Sequence, residues 1–183
     1  CNLFGAMEFS QTAVNNGIKP IIGSYLKFSL DIDNKFNTRE YKITLLVKSK
    51  IGWQNLCYLV TKAFFNLKKH SKKLVDINDL KNNSEGLIML FNDLRSDISN
   101  HEQPNILSMN ITKKLKNIYQ DKLYIDIFRE SKKDISNKEI ILSNVAYNLN
   151  IPMVCTNDVA FLNRDMHEAQ DCLLCIKNGT TIL

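Results

Sequence analysis

The fold is decided by one continuous apolar run, Gly86-Leu87-Ile88-Met89-Leu90-Phe91. A run of this length without charged residues is typical of a strand in a parallel sheet that is covered on both faces. A second apolar strand is predicted at 151–156. Stretches with a helical pattern separate these strands from their neighbours. The sequence therefore predicts an α/β protein with a mostly parallel sheet and outer helices.

The remaining elements are predicted outward from these two strands. Three more strands are expected within 19–28, 41–47 and 123–128. Helices are expected between them, at about 3–14, 52–65, 111–119, 136–149 and 164–176, together with a short helix that Asp76 caps and a basic loop at 68–73. All five strands should line one sheet, although periodicity alone does not separate an open sheet from a barrel.

Composition limits the kinds of protein that this chain can be. Its 183 residues, 44% of them apolar, suffice for one domain with a real core. The net charge of +5 comes from scattered basic residues, which favours a solvated surface over a nucleic-acid site.

No apolar run approaches the ~18 residues of a membrane span. The odd number of cysteines, 5, and the absence of a signal peptide favour a reduced, cytoplasmic setting. Because residue 1 is Cys, we interpret the chain as part of a longer protein.

Most candidate chemical residues have a simpler structural interpretation. Cys172 and Cys175 are spaced like zinc or redox ligands, but no second pair accompanies them, and we predict core thiols in an apolar helix. His70, His101 and His167 are far apart and are predicted to lie on the surface. The chain contains no nucleotide-binding or serine-nucleophile motif.

Asp158 is the residue most suggestive of chemistry. It follows the predicted strand at 151–156, the place where α/β enzymes carry functional side chains. No His or Glu lies within two residues of Asp158, and Ala160 stands where a second ligand would be useful. The segment is therefore interpreted as an active-site loop that has lost its chemistry.

Several segments together resemble the PHP (polymerase and histidinol phosphatase) domain in the alpha subunit of bacterial DNA polymerase III. They occur in the family's order at 2–9, 17–23, 52–56, 85–88, 156–159 and 171–176. The resemblance implies a distorted barrel of about seven β/α units, with metal ligands at the carboxyl ends of the strands. It implies that residues 1–183 form a partial PHP domain, with a first strand and H-x-H motif upstream and polymerase domains downstream.

The resemblance also identifies where metal ligands would stand, and the chain departs from that pattern. Metal-binding members carry Glu, His and Cys at the positions of Tyr25, Lys42 and Asp93. Asp158 is retained, but Ala160 replaces its partner His. Tyr and Ala are poor ligands for a divalent ion, and Lys adds a positive charge. We therefore expect no catalytic, cofactor-binding or metal-binding residue here, and Lys42 is expected to pair with Asp158 or Asp93.

The function implied by the resemblance is that of a catalytically silent scaffold in a replicative DNA-directed DNA polymerase, a nucleotidyltransferase of DNA replication. Its expected partners are the remaining polymerase domains, the proofreading exonuclease (epsilon) subunit and, through the holoenzyme, DNA. No membrane partner and no cofactor are expected here, whereas Mg²⁺ would belong to the polymerase domain. Two alternatives remain open: an active metal-dependent PHP phosphoesterase or 3′–5′ exonuclease, and a small basic DNA-binding module.

Overall fold

The computed structural model describes residues 2–30, 39–70, 73–92, 104–128, 137–157, 159 and 161–181. The described strands form one six-stranded sheet. They are β1 (Gly23–Ser29), β2 (Tyr41–Val47), β3 (Val75–Asp76), β4 (Leu87–Phe91), β5 (Leu123–Ile127) and β6 (Met153–Cys155).

Six α-helices are described along the chain. They are α1 (Ala6–Asn15), α2 (Lys50–His70), α3 (Ile77–Asn82), α4 (Pro104–Tyr119), α5 (Asn137–Asn148) and α6 (His167–Asn178). Short 3₁₀ turns at Gln120–Lys122 and Arg164–Met166 lead into β5 and α6.

The sheet is open and mostly parallel, with strand order β3-β1-β2-β4-β5-β6. β2 pairs antiparallel with β1 and β4, whereas the pairs β1–β3, β4–β5 and β5–β6 are parallel. All five predicted strands therefore lie in one sheet, as expected. The barrel is not confirmed, because β3 and β6 are edge strands among the described residues. The sequence predicted every described strand except the two-residue β3, but it could not determine whether the first and last strands would meet.

One face of the sheet carries the core. Leu87, Met89 and Phe91 of β4 are fully buried, whereas Ile88 and Leu90 between them are only half-buried. Helix α2 packs against β1 to β4, while α4 and α5 pack against β5 and each other. The face that carries Ile88 and Leu90 is therefore covered less completely than the face that carries the core.

Two glycines let the start of α2 approach the start of β4. A Cβ on Gly52 would collide with the carbonyl oxygen of Gly86, and Gly86 itself has a φ of +71° that side-chain-bearing residues rarely adopt. The Lys48 amide donates to the same Gly86 oxygen over 2.9 Å, and the Asn55 side chain donates to the Glu85 carbonyl over 2.9 Å. This contact fixes the position of α2 on the sheet.

Two helix ends lie where the sequence predicted them, and one does not. Asp76 caps α3, as predicted, by accepting a 2.7 Å hydrogen bond from the Asn78 amide. Gly179 ends α6 with a φ of +65°, as its position after the apolar pattern indicated. The basic loop predicted at 68–73 is wrong at its start, because α2 continues to His70. The Ser136 start predicted for α5 lies outside the described residues.

The last helix is far more exposed than predicted. Cys172 is exposed and Cys175 is half-buried, so the prediction of core thiols is wrong. No residue of α6 is buried, since its main described contacts are with the 3₁₀ turn before it. His167 is exposed, as predicted. No helix in the described ranges is both long and apolar enough to cross a membrane.

Candidate functional site

A buried carboxylate, Asp126, lies at the centre of the candidate site. Its side chain is only 4% exposed and accepts two hydrogen bonds from neighbouring strand ends. The Asn92 amide donates to Oδ2 over 2.9 Å, and the Thr156 hydroxyl donates to Oδ1 over 2.6 Å. Asp126 therefore joins the carboxyl ends of β4, β5 and β6.

The register of the parallel strands brings these three residues together. Phe91 pairs with Ile125, so the next residues along, Asn92 and Asp126, stand side by side. On the other side β6 pairs with β5, and the Thr156 amide donates to the Ile127 carbonyl over 3.1 Å. The three side chains thus meet at the edge of the sheet where α/β proteins carry functional groups.

Tyr25 and Lys42 occupy the antiparallel half of the same sheet. Tyr25 is 43% exposed, and the Lys42 ammonium lies 4.4 Å from the centre of its ring. A cation at this distance over a tyrosine face is attracted by the ring's negative quadrupole. Two positions predicted as vestigial metal sites therefore contact each other.

A second lysine lies beside this pair. Lys27 of β1 stands opposite Lys42 in the strand register, a pairing of like charges that is unfavourable on its own. The Lys27 ammonium forms a 2.9 Å ion pair with Glu40, which offsets part of this repulsion. The surface around Lys27 and Lys42 is basic, but the Glu40 carboxylate offsets part of its positive charge.

The other predicted site residues lie outside the described part of the chain. They are Asp93, Asp158 and Ala160. The expected pairing of Lys42 with Asp158 or Asp93 therefore stays a prediction. Within the described ranges, no group of three His, Cys, Asp or Glu side chains could hold a metal ion.

Sequence reasoning missed Asp126, the residue on which the described site is centred. The available signal was a single carboxylate inside the apolar strand pattern Leu123-Tyr124-Ile125-Asp126-Ile127. A buried carboxylate is expensive unless hydrogen bonds compensate it, and here both oxygens accept one. The described arrangement can hold three strand ends together, since each of its donors is already directed at Asp126.

The shifted acid–base groups lie apart from this network. Burial raises the pKa of the Tyr119 hydroxyl at the end of α4 and, to a smaller degree, that of the Cys57 thiol on α2. The Tyr119 hydroxyl is buried and has no hydrogen-bond partner within the described structure. Both pKa shifts follow from the burial of the group itself. Neither group is hydrogen-bonded to Asp126.

The fold agrees with comparisons against known proteins. The profile of the PHP domain matches residues 1–130 of this chain. Because that match spans more than half of the sequence, the chain belongs to the PHP domain family.

Three similar relatives are each a DNA polymerase III subunit alpha. The chain is 33% identical over 190 residues to the DNA polymerase III subunit alpha of Rickettsia bellii and 35% identical over 188 residues to that of Rickettsia felis. It is 29% identical over 191 residues to the corresponding subunit of Vibrio cholerae. Each match covers 98–99% of this chain but only 15–16% of the relative. The chain is thus homologous to a limited part of that subunit.

Proposed function

We propose that this chain is a catalytically silent PHP domain that acts as a scaffold within a replicative DNA polymerase alpha subunit. Its role would be to support the polymerase body and to dock the proofreading exonuclease, the epsilon subunit. The proposal includes the wider setting: a cytoplasmic, DNA-directed nucleotidyltransferase whose Mg²⁺ ions belong to a separate polymerase domain.

The contact between Lys42 and Tyr25 carries this proposal. The resemblance places a Glu and a His at these positions in metal-binding members. A phenol ring covered by an ammonium group 4.4 Å away offers no carboxylate or imidazole lone pair to a cation. The positive charge of Lys42 would also repel a divalent ion. This half of the site is better suited to packing than to metal binding.

Asp126 supports the same conclusion from the other half of the sheet. Both of its oxygens accept hydrogen bonds from protein groups, so in the described arrangement it ties β4 to β6. A structural role for this carboxylate fits a domain whose work is to hold a shape.

The test compares a pocket variant with a core variant in the full-length polymerase subunit. Asp158→Ala should leave primer extension and co-purification of the exonuclease unchanged, because the proposal gives Asp158 no chemical role. Phe91→Ala removes a fully buried ring and should reduce exonuclease co-purification by destabilising the domain. Normal primer extension in Asp158→Ala together with loss of an intrinsic nuclease activity would disprove catalytic silence.

One observation favours the active-enzyme alternative. Asp126 and Thr156 place oxygen atoms together at the carboxyl ends of two neighbouring strands, where metal-dependent enzymes of this class hold ions. An active phosphoesterase or exonuclease would need further ligands beside Asp126. Asp126→Asn separates the alternatives, since it would abolish metal-dependent hydrolysis in an enzyme and alter only stability in a scaffold.

A further inference from the structure

Two helices of this protein end at the same dipeptide, an asparagine followed by a glycine. Helix α1 ends at Asn16 and Gly17, and helix α6 ends at Asn178 and Gly179. Both glycines have a positive φ, +70° and +65°, and both dipeptides are exposed. At each end, the residue after the glycine donates a hydrogen bond, over 2.8 and 2.9 Å, to a carbonyl of the last helical turns. The two dipeptides therefore form a matched pair within one chain.

An asparagine before a glycine reacts with water more readily than other asparagines. The backbone nitrogen of the glycine attacks the side-chain Cγ of the asparagine, because glycine has no Cβ to hinder the approach. A bond between that nitrogen and Cγ forms, the Cγ–Nδ2 bond breaks, and ammonia leaves with the glycine amide proton. Water then opens the resulting cyclic imide at either carbonyl and gives aspartate or isoaspartate. No oxidant, metal or enzyme is needed.

The reaction requires a free asparagine side chain and a free glycine amide, and the two sites differ in both. The Asn16 side-chain amide donates to the Thr12 carbonyl over 2.8 Å, which holds that side chain back along α1. The Asn178 side chain forms no hydrogen bond with any described residue. The Gly17 amide donates to a carbonyl of α1 over 3.0 Å, whereas the Gly179 amide donates to a carbonyl of α6 over 3.4 Å, a weak bond.

We propose that Asn178 is a site of spontaneous deamidation and that the hydrogen bond to Thr12 protects Asn16 from the same reaction. Because that bond must break before Asn16 reacts, its conversion should be slower by roughly two- to tenfold. The inference goes beyond the proposed scaffold role and does not depend on it.

The product should loosen the end of α6. A new carboxylate at residue 178 lies at the negative end of the helix dipole, where an anion is unfavourable. Isoaspartate also adds a methylene to the backbone before Gly179, which displaces the Thr180 amide from the Cys175 carbonyl that it now bonds over 2.9 Å. The core should be little affected, because no residue of α6 is buried.

The test follows both asparagines in one sample of this chain at neutral pH and physiological temperature. Proteolytic peptides that contain each site are measured by mass spectrometry over several weeks, and isoaspartate is detected by its enzymatic carboxyl methylation. In the folded chain, Asn178 should convert from amide to acid at least about twofold faster than Asn16. In urea, where the helices are lost, the two rates should become equal.

Two matched variants identify the mechanism. Gly179→Ala should slow the conversion of Asn178 and leave that of Asn16 unchanged, whereas Gly17→Ala should slow only Asn16. A Cβ at either glycine meets no atom within 4 Å, so neither variant disturbs packing, although each places a side chain on a backbone of positive φ.

Hydrogen exchange tests the effect on the helix end. After conversion, the Thr180 amide should exchange faster, while the Ile18 amide at the end of α1 should not change. Unchanged exchange at Thr180 in the converted chain would contradict the predicted loosening of α6.

Three results would overturn the proposal itself. Conversion of Asn16 as fast as that of Asn178 in the folded chain would show that the bond to Thr12 gives no protection. A difference that persists in urea would assign it to neighbouring residues in the sequence. An unchanged rate for Asn178 in Gly179→Ala would exclude attack by the glycine amide. None of these outcomes bears on catalytic silence, so the two proposals can fail separately.

Discussion

Removing the Asp126 carboxylate should destabilise the protein. The structure allows the loss of unfolding free energy to be divided between the two hydrogen bonds that Asp126 accepts. Asn92 is half-buried and Thr156 is exposed. The hydrogen bond from Asn92 to a buried carboxylate should contribute about 1.5–3 kcal/mol. The bond from Thr156 should contribute only about 0.5–1.5 kcal/mol, because water can replace an exposed hydroxyl. We therefore expect Asp126→Ala to lower the free energy of unfolding by about 2–4 kcal/mol.

The assay is urea unfolding followed by far-ultraviolet circular dichroism, applied to Asp126→Ala, Asn92→Ala and the double variant. If Asn92 acts through Asp126, the double variant should lose less stability than the sum of the single variants, with a coupling of about 0.5–3 kcal/mol. Thr156→Val should lose least. If the losses of the two single variants add up to that of the double variant, Asn92 and Asp126 do not stabilise the fold through one network. An increase in stability for Asp126→Asn would refute it more strongly, because it would identify Asp126 as an uncompensated charge.

Three further predictions concern packing. Phe91→Ala should lower the free energy of unfolding by about 3–5 kcal/mol, and Leu90→Ala should lower it by clearly less, because only Phe91 is fully buried. Equal losses of the two variants in urea unfolding would contradict the assignment of sheet faces. Gly52→Ala should cost at least about 1–3 kcal/mol through its collision with Gly86, and a thermal midpoint equal to wild type would count against that close approach. The raised pKa of Tyr119 makes the neutral phenol the folded form, so stability should be retained below pH of about 10 and fall above it. Tyr119→Phe should flatten that alkaline decline, and an unchanged pH profile would contradict it.

The sequence predicted the positions of the strands better than it predicted which of their side chains are buried. The bounds of β2 were predicted correctly because its alternating pattern is unambiguous. The two-residue strand β3 was missed because it ends at Asp76, whose capping signal dominates that stretch. The run at 86–91 identified a strand, but an uninterrupted apolar pattern does not show which side chains face the core. Leu90 was therefore expected to be buried and is only half-buried.

The site was harder to predict than the fold, for a physical reason. Tyr25 and Lys42 could be identified only through a family resemblance, and their mutual contact depends on the β1–β2 register. Asp126 has no local motif, because its partners lie 34 and 30 residues away in the sequence. Likewise, the apolar pattern around Cys172 indicated burial, but the structure places no covering element over α6 within the described residues. Sequence patterns report periodicity, whereas a site depends on which distant strand ends meet.

The central claim, that this PHP domain performs no metal-dependent chemistry, is tested most directly by metal content and hydrolysis measured on one preparation. Protein purified without chelator should contain substoichiometric zinc, manganese and magnesium by elemental analysis. It should release no nucleotide from a 3′-labelled DNA strand when these ions are added. Stoichiometric metal together with exonuclease activity, both lost in Asp158→Ala, would contradict the account and establish the active enzyme in its place.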